Sequence, residues 1–136
     1  MDELDREILD VLRRDARIPY TEIADSVGTS EGTVRNRVDR MLETGVIERF
    51  TVATRTGNIK AMIELGVDVA VDTTGVARRL AEWDPVDFVW QVSGEADVVL
   101  IVDAADTTGV NDLITRARDM DEIVSTTTRL ILDEQR

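Results

Sequence analysis

The chain has 136 residues, 43% of them apolar and 32% charged, enough for one folded domain or two very small ones. It contains no cysteine and no histidine, which excludes disulfides, thiolate metal sites, cysteine nucleophiles and the usual general base near neutral pH. Sixteen basic against 28 acidic residues leave a net charge of −12, with Asp outnumbering Glu 17 to 11 and Lys60 the only lysine. Self-repulsion at this density opposes the compact state in dilute buffer, and at about 1 M salt, where the Debye length is about 3 Å, most of it is gone. High aspartate with almost no lysine reads as a halophilic protein; an ordinary acidic protein is the plainer reading. The opening Met-Asp-Glu-Leu-Asp has no basic region before an apolar run, and no stretch approaches the roughly 20 apolar residues of a membrane span. A cytoplasmic chain without membrane association or cofactor is expected.

Residues 1–50 read as helices. Leu4, Ile8, Val11 and Leu12 recur at helical spacing, and Ile18-Pro19 closes that segment. Ile23, Ala24 and Val27 form the inner face of a short second helix ended by Gly28, which supplies a left-handed residue. Ser30 then stands as N-cap of a third helix from Glu31 to Thr44, stopped by Gly45. Helix, helix, Gly turn, helix is the order of a helix-turn-helix.

At 100° per residue, Val34, Val38, Met41 and Leu42 of the third helix share one stripe, the expected core face. Gly32, Thr33, Asn36 and Arg40 lie opposite, with Arg35 and Arg37 on the flanks. Arginine reaches guanine O6 and N7, asparagine pairs with adenine, and both hold phosphates, so this face suits a DNA major groove. A solvated polar face is the bland alternative, and the preceding short helix and Gly turn favour DNA. The first 50 residues carry eight Arg against 12 acids, the wrong sign for a phosphate binder, but the third helix is itself neutral.

Val46–Val52 has the composition of a strand leaving the helices, and 51–58 reads as strand end and linker. Beyond it, Asp72-Thr73-Thr74-Gly75-Val76 recurs as Asp106-Thr107-Thr108-Gly109-Val110, each copy after an apolar strand and before a helical stripe. Duplication and convergent helix capping both account for the repeat. The first strand alternates from Ile59 to Val69; the second, Val98–Val102, is continuously apolar; further strands are expected over Val86–Val92 and Ile123–Leu132. The order is βαββαβ, the ferredoxin-like plan with helices on one sheet face. Trp83 and Trp90 read as packing residues, Trp90 alternating with Phe88 and Val92 in the core or at a sheet interface. Asp119, Asp121 and Glu122 read as a solvated stretch, and no metal site is expected.

Two segments carry a family resemblance. Leu4 to Ile47 holds Leu4-Asp5-x-x-Ile8-Leu9, Glu22-Ile23-Ala24, Val27-Gly28-x-Ser30, Val34-x-x-Arg37-Val38 and Gly45-Val46-Ile47; Val92 to Ala104 holds Gly94-x-x-Asp97. Both resemble the Lrp/AsnC, or feast/famine, transcription factors. The resemblance implies an α+β chain: a winged helix-turn-helix DNA-binding domain (1–50), a strand or linker (51–58) and a RAM domain for effector binding and oligomerisation (59–136). It further implies homodimers joined through their sheets, often built into tetramers or octamers, that bind double-stranded DNA and respond to an amino acid or a similar small molecule. Ser30, Thr33, Arg35, Asn36, Arg37 and Arg40 would touch DNA, Arg37 being the family-matched arginine. Gly94 and Asp97, with Glu95 beside them, would shape the effector site; a plain strand turn is the alternative there. The linker is shorter than the family's usual wing and connector. Two other functions stay open: an architectural DNA binder without a ligand, and an enzyme like the siroheme decarboxylases that resemble this family, which use histidines this chain lacks.

Overall fold

In the computed structural model, which describes residues 1–135, the chain divides after Thr54 into two units. The first is three helices. α1 (Glu3–Arg14) opens with a capping box: the Asp2 carboxylate accepts from the Asp5 N–H at 3.0 Å, and the Asp5 carboxylate accepts from the Asp2 N–H at 3.1 Å. α2 (Tyr20–Val27) ends at Gly28, whose φ of +73° lets the chain turn sharply into α3 (Glu31–Glu43). Ile8, Leu12, Ile23, Ala24, Val34, Val38 and Met41 meet in the core. Each large side chain buried there contributes about 1.5–3 kcal/mol.

Two expectations for this unit are corrected. Leu42 is exposed rather than part of the core stripe, because three short helices close on Val34, Val38 and Met41. Ile47 completes that end of the core, brought back by the turn at Gly45, with its N–H donating to the Met41 carbonyl at 2.9 Å. Residues 46–52 form no strand: the four strands of the sheet among the described residues all lie beyond residue 58.

The second unit is β1 (Ile59–Val67), α4 (Thr73–Ala81), β2 (Val86–Gln91), β3 (Val98–Ala104), α5 (Thr107–Arg118) and β4 (Ile123–Leu130). The strands form one antiparallel sheet ordered β2-β3-β1-β4, the split βαβ arrangement expected. The alternation of β1 decides its faces: Ala61, Ile63 and Leu65 are buried beneath α4 and α5 against Val76, Leu80, Val110 and Leu113. β1 stops at Val67, before Val69, and β4 at Leu130, before Leu132; both outlying residues are exposed.

Met62, Glu64, Val99 and Ile101 point to the other face, and the register sets Phe88 opposite Ile101 and Trp90 opposite Val99. No helix among the described residues covers this side. Trp90 is therefore not a core residue. It is 50% exposed and stacks on Phe88 with ring centroids 5.6 Å apart. Trp83 does pack against the core, with the Arg116 guanidinium 4.0 Å above its ring.

The repeated Asp-Thr-Thr-Gly-Val starts a helix each time. Asp72 caps α4 by accepting from the Thr74 N–H at 3.1 Å, and Asp106 caps α5 by accepting from the Gly109 N–H at 2.9 Å. One motif thus serves two slightly different cap geometries.

Candidate nucleic-acid interface and effector turn

α3 supplies the nominated DNA residues, and the structure divides them by what their side chains touch. Ser30 is committed as N-cap: its Oγ accepts from the Thr33 N–H at 3.2 Å and lies 2.9 Å from the Thr33 hydroxyl. Arg35 is more than half exposed, paired with Glu31 at 2.8 Å and set 5.3 Å above the ring of Tyr20. Asn36 is exposed and makes no side-chain hydrogen bond among the described residues, leaving its amide available to a base edge. Gly32, one turn earlier, is open to solvent, with nothing within 4 Å of where a Cβ would stand. A DNA backbone can approach closely there.

Arg37 and Arg40 turn toward α1. The Arg37 guanidinium donates to Asp2 and, at 3.2 Å, to Asp5; Arg40 donates to the other oxygen of Asp5 at 3.0 Å. Asp5 is 1% exposed, the one buried charged residue among the described residues. Desolvation pushes its carboxyl up, but the Asp2 N–H and the Arg37 guanidinium outweigh it and hold the group below the ordinary carboxylate range. Asp2 is lowered further, from 3.8 to about 2, chiefly by Arg37 and then by the Asp5 N–H. Arg37, only 25% exposed, is thus not the open flank residue expected from the helical projection. A helical wheel gives the direction of Cβ but not which neighbouring helix captures a long side chain.

Asp2 and Asp5 were not among the nominated residues. The spacing Asp-x-x-Asp before an apolar stripe signals a capping box, which would have found their local role. Their reach to α3, 32 to 35 residues away, leaves no trace in a single sequence.

The Gly-x-x-Asp segment joins β2 to β3. Gly94 takes φ +110°, and nothing lies within 4 Å of a Cβ built there. Glu95 is exposed. Asp97 is committed to the fold: its carboxylate accepts from the Val67 N–H at 2.7 Å, its own N–H donates to the Leu65 carbonyl at 2.9 Å, and its carbonyl accepts from the Val92 N–H at 3.0 Å. The first two bonds pin the hairpin to the end of β1, and the third closes the hairpin on itself. Among the described residues no helix is long and apolar enough to cross a membrane.

Comparison with known proteins agrees with both units. Residues 1–42 match the AsnC-type helix-turn-helix domain, and residues 60–135 match the Lrp/AsnC ligand binding domain. The transcriptional regulator LysM of Sulfurisphaera tokodaii is 31% identical over 133 residues, covering 97% of this chain and 95% of the relative. Escherichia coli AsnC superposes with a TM-score of 0.73 at 27% identity, over 98% of this chain and 93% of that one. A feast or famine regulatory protein of Mycobacterium tuberculosis, solved with L-methionine, superposes with a TM-score of 0.82 at 25% identity, over 98% and 92%. A helix-turn-helix with an exposed polar recognition face, joined to a four-stranded ligand-binding domain, has these relatives throughout its length: the chain belongs to the Lrp/AsnC family of transcriptional regulators.

Proposed function

We propose that this regulator reads duplex DNA through α3, with Thr33, Arg35, Asn36 and Arg40 at the groove and Ser30 fixing the helix start. The observation that carries this is the uncommitted amide of Asn36 beside open Gly32, on a helix whose opposite face is held by Val34, Val38 and Met41. We further propose an amino acid as effector, received near Gly94, Glu95 and Asp97 where sheets of neighbouring protomers meet. The open backbone at Gly94 suits an α-carboxylate, and the L-methionine complex of the mycobacterial relative supports the ligand class. In this reading the protein is a homodimer or larger assembly, works as a regulator rather than an enzyme, and resides in a highly saline cytoplasm.

The architectural reading has one observation in its favour: the Asp97 carboxylate is already spent on the Val67 N–H. Selection of genomic fragments by the full chain separates the two readings. It is carried out in about 2 M KCl, where repulsion among the acidic side chains is screened, with and without a mixture of amino acids. A recovered palindromic site whose occupancy changes with the mixture is the expected result. A site indifferent to every amino acid establishes the architectural reading, and no enrichment overturns DNA recognition itself.

A further inference from the structure

The recognition helix carries three arginines, and each is paired with an acid of its own unit. Two converge on one buried carboxylate. Asp5 lies beneath the ends of Arg37 and Arg40, one guanidinium to each oxygen, and accepts the Asp2 N–H as well. Asp2 closes the network by capping α1 and accepting from Arg37. Two carboxylates and two guanidinia sum to zero charge, so Arg37 presents little net attraction to a phosphate. Arg40 differs, because its side chain stays more than half exposed.

We propose that Arg37 is a positioning residue: with Asp2 and Asp5 it ties the start of α1 to α3 and sets the angle at which α3 meets DNA, without touching DNA itself. The geometry suits this role. The apolar contacts of α3 form one narrow stripe, Val34 and Val38 with Met41, and apolar attraction is non-directional: it resists separation more than it fixes rotation about the helix axis. A directional pair on the flank of that stripe fixes the rotation. A buried ion network contributes less to stability than its Coulomb attraction suggests, and fixing one arrangement among several is its best-attested use. The inference rests on the DNA reading above and gives that reading its second tier of residues.

The test turns on sign. If Arg37 touched DNA, Asp5 would compete with phosphate for it, and Asp5→Asn would release the arginine and tighten binding. As a positioning device, the same substitution loosens α3, and affinity for a selected duplex falls about tenfold, more than affinity for a random-sequence duplex falls. Binding is measured with the full chain on both duplexes at about 0.1 and about 1 M KCl, Debye lengths of about 10 and about 3 Å, so that distant charge effects are separated from contacts. Arg37→Met weakens specific binding with the salt slope unchanged, and the double variant is no worse than either single one. Asp5→Asn also frees Arg40, so the sign is read from Asp2→Asn, at the carboxylate that pairs with Arg37: tighter binding by Asp2→Asn, or a slope reduced by about 1 in Arg37→Met, overturns the proposal. Should Asp5→Asn unfold the first unit, Asp2→Asn at the half-exposed partner makes the same prediction in milder form. A wild-type chain that binds neither duplex would instead refute the DNA reading.

Discussion

At the scale of single residues, polar groups serve the fold before they serve any ligand. Asp97 is the plainest case. Replacing it by Ala leaves the Val67 N–H without its acceptor, which costs about 1–3 kcal/mol when such a group is shut off from water. Asp97→Asn keeps an acceptor oxygen in place and recovers most of that loss. Urea unfolding of both variants checks this; equal losses would mean that charge, not the hydrogen bond, holds the hairpin. The Asn variant is also the cleaner probe of the effector, since it removes the charge while keeping the turn. The aspartates of α1 make a second prediction. The folded pKa of Asp2 lies at about 2 and that of Asp5 also lies below the ordinary range, so the stability they confer is fully present above about pH 4 and is lost as pH falls through those lowered values. Acid titration followed by a probe in the first unit should show unfolding over that window, shifted to higher pH in Arg37→Met. An identical acid profile in the variant would show that Arg37 does not hold those carboxylates ionised.

At the scale of elements, most of the architecture was legible because it rests on periodicity and punctuation. Three- and four-residue spacing located α1 to α3, period-two alternation located β1, and Gly28, Ser30 and Gly45 marked the turns and caps. What escaped depends on neighbours that are distant in sequence. Val46–Val52 has strand composition but joins no sheet among the described residues, and Leu42 lies on the predicted stripe yet beyond the reach of a three-helix core. The candidate DNA face was legible as a set of residue types, while the capture of Arg37 by α1 was not. Ser30 shows how the two roles of α3 separate by experiment. Ser30→Ala removes the cap bond to Thr33 and should cost about 1 kcal/mol of stability, whereas Ser30→Asp caps as well as serine does. Ser30→Asp also places a negative charge where DNA would lie. Thermal melting should therefore rank Asp with wild type and Ala below, while duplex binding puts Asp last. If both variants bind DNA as wild type does, the start of α3 lies away from the duplex.

At the scale of the whole molecule, the second unit leaves one sheet face without a helix, and that face carries Phe88 and Trp90 stacked on each other, 43% and 50% exposed, beside Met62, Val99 and Ile101. In a chain of net charge −12, such a patch stands out from the acidic surface around it, and stays apolar at any salt concentration. A second copy of the same sheet is the partner the proposed dimer needs, because a two-fold axis brings one patch against itself. Trp90→Lys places a charge at its centre and leaves the helix-covered core of Ala61, Ile63 and Leu65 untouched. Sedimentation equilibrium should then show wild type as a dimer or larger and the variant as a folded monomer. Binding to a palindromic site should fall further than binding to a single half-site, because the second recognition helix is no longer delivered at high effective concentration. An assembly unchanged by Trp90→Lys would move the dimer contact to another surface. A monomeric variant that still bound the palindrome at full strength would separate DNA recognition from the sheet altogether.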